Sequence, residues 1–256
     1  MAPACTTILS GIGLAENIVA IDTWSVSVPG MKADIPRFDM MKPNIELLAA
    51  LECDLVFVSD MTREGTSKDP FKPLSEAGVK VVYIPTSKTL ADIRNDVALI
   101  AGLTGKTAEG EALVSRMDRE IERISEIVRS IPQNSRRTVV FEIASAPNVY
   151  SFGKGVYLNE LLEAAGAINA LGAENGWIAV SAETIVASDP DVILTNVDYL
   201  EDPVAEIKGR PGWAGMKAVT NGRVYRIDSA TSSQPTPDVT KALLAIAEAV
   251  YPEYFK

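Results

Sequence analysis

The chain contains no histidine and only two cysteines among its 256 residues. Without histidine, a Ser-His-Asp triad, a Cys-His pair, a histidine-cysteine zinc site and an HExxH metal site are all impossible. The two cysteines, Cys5 and Cys53, could form at most one disulfide, and their positions do not indicate a pair. Most hydrolytic chemistry is therefore excluded, and the cysteines do not identify the redox compartment.

Long hydrophobic runs and basic clusters are also missing. No apolar stretch approaches the ~18 to 20 residues that span a bilayer. The formal net charge of −10 argues against nucleic acid and against an anionic membrane surface as partners. With 47% hydrophobic residues, the composition predicts one large or two medium globular domains.

One amphipathic helix is predicted near the middle of the chain. From about Lys106 to Ile131, apolar residues recur at alternating steps of four and three, and charged residues fill the positions between them. Pro132 ends this helix, which would be roughly 38 Å long. The helix could connect two lobes, or it could pack along a single core.

Short strand and helix patterns alternate on both sides of this helix. Strands are predicted at residues 18–22, 55–58, 79–84, 138–143, 192–195 and 223–227. Helices are predicted from Asn44, which has the character of an N-cap, and at residues 72–77, 90–103, 158–165, 182–188 and 239–251. Strands separated by helices predict parallel pairing and an α/β fold.

The two halves of the sequence resemble each other in one segment. The stretch from Glu46 to Asp54 and the strand after it match the stretch from Glu183 to Asp191 and its strand, at one constant offset in the numbering. Such helix-strand units are common in α/β proteins, so the match alone does not require a repeat. Together with the long helix, it favours two α/β lobes over one doubly wound sheet.

We therefore predict an α/β protein of two Rossmann-like α/β lobes bridged by a single long α-helix, with a ligand cleft between the lobes. The predicted boundaries are 1–105 for the N-terminal lobe, 106–132 for the connecting helix and 133–256 for the C-terminal lobe. Ligands of parallel sheets bind at the carboxyl ends of the strands. The loops that follow the predicted strands should therefore carry the ligand site.

Candidate ligand-binding residues in these loops are aromatic, methionine, cationic or small polar residues. They are Trp24, Met40, Ser59, Arg63, Tyr150, Lys154, Tyr157, Trp177 and Asn196. Aromatic and methionine side chains offer large, adaptable apolar contacts, and Arg63 and Lys154 could meet a carboxylate or phosphate. Each residue could equally be an ordinary surface or loop-packing residue.

The sequence shows no catalytic constellation. Gly153-Lys154-Gly155 lies after the strand predicted at residues 138–143, but it lacks the GxxxxGK[ST] spacing of a phosphate loop. Cys53 is expected to be a small buried hydrophobe. Cys5 lies at a predicted helix start, where a functional contact is more plausible, and its role stays open.

Several pieces in the same order resemble the substrate-binding proteins of bacterial ABC importers for iron-siderophores, haem and vitamin B12. The pieces are Ala2-Pro3-Ala4 with Gly11-Ile12-Gly13-Leu14, Pro43-Asn44-Ile45-Glu46, Ser151-Phe152-Gly153-Lys154, Val180-Ser181-Ala182-Glu183, Asn221-Gly222-Arg223-Val224-Tyr225 and Tyr251-Pro252-Glu253. The resemblance covers nearly the whole chain. It implies two lobes joined by one rigid helix.

The resemblance also implies roles for particular residues. Glu46 and Glu183 match the acidic residues that project from each lobe toward the permease. In the B12-binding branch, the ligand is held by aromatic residues at positions that match Trp24, Met40, Ser59, Tyr150 and Trp177. Because Met40 and Ser59 depart from that pattern, siderophore, haem or another metal chelate stays open. For haem, Tyr150, Tyr157 or a methionine would be the axial donor.

The resemblance implies a non-enzymatic, monomeric receptor that delivers a metal chelate or corrinoid to an ABC permease. No cofactor and no metal site of the protein's own is expected. It would be periplasmic or lipid-anchored at the cell surface, with its signal segment and a first β-strand ahead of Ala2 outside this sequence. The alternative is a two-lobed chelatase-like or nitrogenase-like enzyme, which the lack of histidine and of cluster cysteines disfavours.

Overall fold

The computed structural model describes residues 2–63 and 69–255. The chain divides into two compact units, which we call unit 1 (Met1–Ser87 and Ala91–Ser115) and unit 2 (Lys88–Leu90 and Arg116–Lys256). The division falls inside helix α5 (Thr107–Arg129), so this helix contributes residues to both units. The boundaries predicted at residues 105 and 132 stay predictions.

Helix α5 follows the periodicity that the sequence predicts. Leu113, Met117, Ile124 and Val128 are buried, whereas the charged residues between them are exposed. Residues three and four apart share one face of a helix, so these four buried side chains form one apolar stripe along the helix. The helix ends at Arg129, shortly before Pro132.

Unit 1 is built from short parallel strands and helices. Its elements are α1 (Pro3–Gly11), β1 (Ile21–Asp22), β2 (Arg37–Phe38), α2 (Ile45–Ala49), β3 (Leu55–Ser59), α3 (Lys72–Glu76), β4 (Lys80–Ile84) and most of α4 (Leu90–Leu103). Strand β1 pairs in parallel with β2, and β3 pairs in parallel with β4. Within the described residues, the two pairs are separate two-stranded sheets.

Strand β3 carries apolar side chains on both faces. Phe57 belongs to a cluster that contains Ile8 and Ile100, whereas Val56 belongs to a second cluster around Leu74. Successive side chains of a strand point to opposite faces, so a nearly continuous apolar run predicts a strand covered on both sides. Helices on both faces of β3 are the expected result.

A cavity of about 490 Å³ lies within unit 1. Its lining includes Leu9 of α1, Leu48, Leu51, Leu55 of β3 and Leu103 of α4. None of the residues that line it is among the predicted ligand-binding residues. The strand that we expect ahead of Ala2 stays a prediction.

Unit 2 contains a larger parallel sheet. Its remaining elements are β5 (Thr138–Glu142), β6 (Tyr150–Phe152), α6 (Tyr157–Ala164), β7 (Ile168–Asn169), β8 (Trp177–Ala179), α7 (Ala182–Ser188), β9 (Val192–Thr195), α8 (Pro203–Gly209), α9 (Lys217–Thr220), β10 (Val224–Arg226), α10 (Ser229–Ser232) and α11 (Val239–Val250). The parallel sheet has the order β10-β9-β5-β7, and β6 pairs separately with β8 in antiparallel orientation.

The predicted α/β class is confirmed, but several short strands were not predicted. The strand predicted at residues 18–22 contains only Ile21–Asp22, and β2, β6, β7 and β8 were not predicted as strands. Each has two or three residues, which is too short for a period of two to be recognised. The antiparallel pair of β6 and β8 also departs from the expected parallel pairing.

The internal match between the halves extends to structural detail. Asn44 caps α2 by accepting the N–H of Leu47, and Ser181, at the same offset as the sequence match, caps α7 by accepting the N–H of Thr184. Glu52 and Asp189 are related by that offset too, and both have a positive φ, of 49° and 39°. The strands β3 and β9 also begin at equivalent positions. The two segments are therefore a structural repeat.

Candidate ligand-binding surfaces

In unit 1, three strands end in turns of the same kind. At each strand end, a side-chain oxygen accepts the backbone N–H of the residue two positions later, as in Asx and Ser turns. The pairs are Asp22 with Trp24 (2.8 Å), Asp39 with Met41 (2.8 Å) and Ser59 with Met61 (3.4 Å). The second residue of each pair is a large apolar residue that is exposed. Unit 1 thus presents Trp24, Met41 and Met61 just after its strands.

The turn at Trp24 is fixed by a buried carboxylate. Asp22 is fully buried, and it accepts hydrogen bonds from the Trp24 N–H and from the Ser25 hydroxyl. The hydroxyls of Ser25 and Thr6 of α1 are 3.2 Å apart. Trp24 itself is 72% exposed. A rigid turn therefore carries an indole ring that packs little against its own unit.

The other predicted residues of unit 1 are less exposed or already engaged. Met40 is half-buried against the cluster that contains Val56, and the Ser59 carbonyl accepts the Thr62 hydroxyl. The Arg63 guanidinium is 2.9 Å from the Asp60 carboxylate and lies 3.9 Å from the centre of the Tyr83 ring. These contacts within unit 1 already use the charge of Arg63.

In unit 2, exposed aromatic rings lie on the β6–β8 pair. Tyr150 and Trp177 were predicted to lie in loops, and the structure corrects this by placing them in β6 and β8. Trp177 is opposite Phe152 in the pairing, and the two rings are 5.9 Å apart in an edge-to-face arrangement. Phe152 in turn contacts Phe141 of β5 at 5.7 Å. Buried rings therefore support the half-exposed Trp177.

Tyr157 and Asn196, both predicted to bind the ligand, are buried in unit 2. The Tyr157 ring contacts the Trp177 ring at 6.3 Å, and its hydroxyl donates a hydrogen bond to the Ser232 carbonyl. Burial raises the pKa of Tyr157. The Asn196 side-chain amide donates to the hydroxyls of Ser232 and Ser233. Tyr157 thus supports Trp177 directly, and ligand contact by either residue stays a prediction.

Lys154 is exposed, and no ion pair is found for it among the described residues. Its backbone N–H donates to the Glu174 carbonyl, and its own carbonyl accepts the N–H of Gly176. A Cβ at the neighbouring Gly153 would lie 2.1 Å from the Glu174 carbonyl oxygen, so only glycine fits there. Gly153 is therefore required for a close backbone crossing, and the side chain of Lys154 beside it is exposed to solvent.

A buried ion network lies at the carboxyl end of β5. Arg210 donates to both oxygens of Glu142 at 2.6 and 2.9 Å, and it also donates to Glu206 and to the Ser145 hydroxyl. Burial raises the pKa of Glu142, whereas the hydrogen bond from Arg210 lowers the pKa of Glu206. Arg210 also lies 4.5 Å from the ring centre of Trp213, the third tryptophan, which is buried.

Two exposed apolar residues near the strand ends were not predicted to bind the ligand. They are Met61 in unit 1 and Tyr199 in the connection that follows β9. For Met61, Ser59 at the strand end two residues earlier is a signal that sequence analysis could have used. Met41, which is also exposed, follows the predicted Met40 in the same loop. The sequence around Tyr199 carries no comparable signal.

The two predicted docking residues occupy equivalent positions. Glu46 and Glu183 are each the second residue of a capped helix, and both are exposed. The Glu183 carboxylate accepts hydrogen bonds from the Glu183 backbone N–H and from the Ser181 side chain, and both lower the pKa of Glu183. Carboxylates near helix N-termini are also favoured by the helix dipole, so the position alone does not require a partner.

The described residues include no group of three histidine, cysteine, aspartate or glutamate side chains that could hold a metal ion. Cys5 and Cys53 are free thiols. Cys5 is buried in the cluster with Ile8, and burial raises the pKa of its thiol to about 12, so it is a core residue. No described helix is both long enough and apolar enough to span a membrane.

Comparison with known proteins gives a consistent result. A family model described as periplasmic binding protein matches residues 1–231. The chain is 27% identical over 254 residues to an uncharacterized ABC transporter substrate-binding lipoprotein, YvrC, of Bacillus subtilis, covering 99% of this chain and 79% of the relative. It is 22% identical to a cobalamin-binding protein of Halobacterium salinarum, covering 97% of this chain and 68% of that protein.

A solved structure is similar over almost its whole length. The crystal structure of a possible iron-binding (periplasmic solute-binding) protein from Staphylococcus epidermidis superposes with a TM-score of 0.85 and 28% identity. The match covers 97% of this chain and 96% of the other.

Proposed function

The chain belongs to the periplasmic binding protein family, and on that premise we propose that it is a non-enzymatic receptor for a metal chelate or a corrinoid. The ligand would be an iron-siderophore, haem or cobalamin, delivered to an ABC permease. The protein would act as a monomer outside the cytoplasm. Proteins of this family serve ABC importers, and the similarity to a substrate-binding lipoprotein supports the same role here.

The observation that carries the proposal is the set of exposed aromatic residues in unit 2. Tyr150 is 44% exposed and Trp177 is 49% exposed, yet both are held in paired strands, and Trp177 packs against the buried rings of Phe152 and Tyr157. Rigid, exposed apolar surface of this kind marks a ligand-binding or interaction site. A flat or bulky ligand of mainly apolar surface fits these rings, and the nearby Lys154 could meet a carboxylate on its edge.

A small oxyanion would need a different site. Such ligands are held by convergent N–H groups and by cations, whereas Arg63 is already engaged with Asp60 and Tyr83. In unit 1, Trp24 and the half-buried Met40 and exposed Met41 again offer apolar contacts. The predicted cleft between the lobes stays a prediction, and the proposal rests on the surface within unit 2.

The ligand can be identified by titration of the purified protein with haemin, cyanocobalamin, ferrichrome and ferric citrate, with sodium molybdate as a comparison. Tryptophan fluorescence reports binding, because Trp24 and Trp177 are exposed whereas Trp213 is buried. We expect saturable quenching by one of the first four compounds. Trp177→Ala should weaken that binding by about 10-fold or more, and Trp177→Phe should weaken it less, because part of the aromatic contact remains.

A matched control is available in the parallel sheet of the same unit. Ile168 is similarly exposed, but it pairs with Thr138 at the amino end of β5, away from the strand ends that carry the site. Ile168→Ala should bind like the wild type. Saturation by molybdate alone, or by none of the five compounds, would contradict the proposed function. Unchanged affinity in Trp177→Ala would remove Trp177 from the site.

We propose further that Glu46 and Glu183 contact the permease. Both are exposed, and they hold the same position in the structural repeat. A repeated pair of carboxylates suits a permease built from two similar subunits. Their exposure leaves both charges available to arginine or lysine side chains of a partner.

The docking role can be separated from ligand binding. The double variant Glu46→Ala/Glu183→Ala should bind ligand with unchanged affinity but lose about 10-fold or more of transport in vesicles that contain the permease, because two charged contacts are removed. The double variant Glu76→Ala/Glu248→Ala removes the same charge from other exposed helix positions and should transport normally. Equal transport by both double variants would exclude the docking role.

A further inference from the structure

Tyr199 is an exposed aromatic residue whose polar end is fixed. Its side chain is 63% exposed, and its hydroxyl oxygen accepts the backbone N–H of Ser145 at 2.8 Å. An exposed tyrosine usually turns its hydroxyl to water and keeps rotamer freedom. Here the hydroxyl is held by the chain while the ring stays uncovered, so the ring has a defined position without being packed.

The anchor of Tyr199 is itself rigid. The Ser145 hydroxyl accepts a hydrogen bond from Arg210 at 3.0 Å and donates one to Glu206 at 3.0 Å. Arg210 is held by both oxygens of Glu142, and the side chains of this pair are 7% and 1% exposed. Buried charged hydrogen bonds of this geometry leave little freedom to the groups they join. A network that spans β5 and α8 therefore determines where Ser145 lies.

The same loop leads to the aromatic residues already described. Ser145 follows Ala144, whose carbonyl accepts the N–H of Tyr150 at 3.1 Å. The Tyr199 hydroxyl is thus bonded to Ser145, the residue directly after Ala144, and Ala144 is the residue that pairs with Tyr150. Tyr150 begins β6, which pairs with the strand that carries Trp177. The Tyr199 hydroxyl is therefore bonded to the segment that pairs with Tyr150 on the side away from the strand of Trp177.

We propose that Tyr199 is a further ligand-binding residue of unit 2 and that Arg210 is the residue that positions it through Ser145. The proposal rests on the proposed function, since it adds a contact to the same aromatic surface. The Tyr199 ring supplies one face to the apolar part of the ligand. Arg210 is buried, so it acts on the ligand only by holding the Ser145 N–H where Tyr199 can reach it.

The experiment uses haemin and cyanocobalamin as probes, each titrated into wild type, Tyr199→Ala, Tyr199→Phe and the control Ile168→Ala. For the probe that binds, Tyr199→Ala should weaken affinity about 10-fold, because a whole aromatic face is lost. Tyr199→Phe keeps the ring but loses its anchor, and about a 3-fold loss is expected. Ile168→Ala should not change affinity.

The positioning role of Arg210 is tested by a double-mutant cycle. Arg210→Lys keeps the charge beside Glu142 but cannot make the same set of bonds, so it should weaken binding about 3-fold in the wild-type background. In the Tyr199→Ala background the same change should have no further effect, because the residue that it positions is gone. A merely structural effect of Arg210→Lys would persist in both backgrounds, and that result would overturn the positioning role.

The possible failures are distinguishable. If the wild type binds a probe and Tyr199→Ala binds it with equal affinity, the inference about Tyr199 is wrong while the proposed function stands. If neither haemin nor cyanocobalamin binds and ferrichrome or ferric citrate does, the same variants are compared with that compound. If the wild type binds none of these four compounds, the proposed function fails and this inference fails with it.

Discussion

Strands β3 and β9 are equivalent in the structural repeat, but their sheets differ. In unit 2, β9 lies between β5 and β10 and pairs with both in parallel. In unit 1, β3 pairs with β4, and within the described residues this pair is separate from β1 and β2. The cavity of about 490 Å³ adjoins β3. The repeated helix-strand segment therefore belongs to a four-stranded sheet in unit 2 and, within the described residues, to a two-stranded sheet in unit 1.

This difference separates local from tertiary causes of structure. The helix cap, the left-handed residue and the start of the strand recur at one offset, because each depends on residues close in sequence. The neighbours of the strand depend on distant parts of the chain and do not recur. We therefore expect substitutions at repeated local features to act alike in the two units, and substitutions that depend on the surroundings to differ.

The largest expected difference concerns ion pairs. Arg210→Met removes the partner of Glu142, leaves a buried carboxylate without compensation, and should lower the free energy of unfolding by about 3 to 5 kcal/mol. In unit 1, the matched change Lys72→Met breaks an exposed pair with Glu76 and should cost less than about 1 kcal/mol. Urea denaturation followed by circular dichroism measures both values.

The difference between the two variants depends on whether the unpaired carboxylate is buried, as for Glu142, or exposed, as for Glu76. The double variant Glu142→Gln/Arg210→Met removes both charges, so it should recover part of the loss caused by Arg210→Met alone. Equal costs for Arg210→Met and Lys72→Met would mean that the network in unit 2 is solvated, contrary to its burial.

Core truncation at equivalent positions should show a smaller difference. Leu48 of α2 and Ile185 of α7 are equivalent in the structural repeat, and both are buried. Ile185 lies within a closed cluster that includes Ile193 and Trp213, so Ile185→Ala should cost about 3 to 5 kcal/mol. Leu48 lines the existing cavity, so part of its side chain faces empty space rather than other atoms, and Leu48→Ala should cost about 2 to 3 kcal/mol.

Urea denaturation gives both free energies, and hydrogen exchange of β3 and β9 shows which unit each variant loosens. The conservative changes Leu48→Met and Ile185→Leu are the controls, because they keep side-chain volume and should cost less than about 1.5 kcal/mol each. A greater cost for Leu48→Ala than for Ile185→Ala would show that the cavity of unit 1 does not relieve truncation.

The sequence predicts most of the longer elements of the fold. The apolar stripe of α5, the continuous apolar run of β3 and the N-cap at Asn44 depend on a few neighbouring residues, and each is confirmed. Strands β6 and β8 could not be predicted, because each has three residues and is stabilised by its partner rather than by its own pattern. The order of the strands in the sheets was not predicted either, because the neighbours of a strand depend on distant parts of the chain.

The candidate site was only partly predictable from the sequence. Trp24 follows a predicted strand and Trp177 lies in a predicted loop, both match positions of the resembling family, and both are exposed. Tyr157 is also aromatic, but it is buried, because α6 begins at this residue and its ring faces Trp177. Tyr199 was missed because its distinguishing feature, a bond to Ser145, joins residues 54 positions apart. Residue type predicts candidates, and tertiary contacts decide which of them stay exposed.

The smallest effect concerns the two left-handed residues of the repeat. A residue with a Cβ is strained at positive φ by about 1 to 2 kcal/mol, and glycine relieves this at a cost in unfolded-state entropy of about 0.5 to 1 kcal/mol. Glu52→Gly should therefore stabilise the protein by about 0.5 to 1 kcal/mol. Asp189→Gly should give no gain, because Asp189 also accepts the Lys217 N–H at 2.8 Å and that bond is worth about 1 kcal/mol.

Alanine separates strain from other effects of removing the side chain. Glu52→Ala keeps a Cβ at φ 49°, so it should not stabilise the protein. Asp189→Ala loses the hydrogen bond to Lys217 without relieving strain, and should be the least stable of the four variants. The midpoint of urea unfolding ranks them. If Glu52→Gly and Asp189→Gly shifted the midpoint equally, the repeat would be equivalent in energy as well as in backbone geometry, and the contact to Lys217 would contribute nothing.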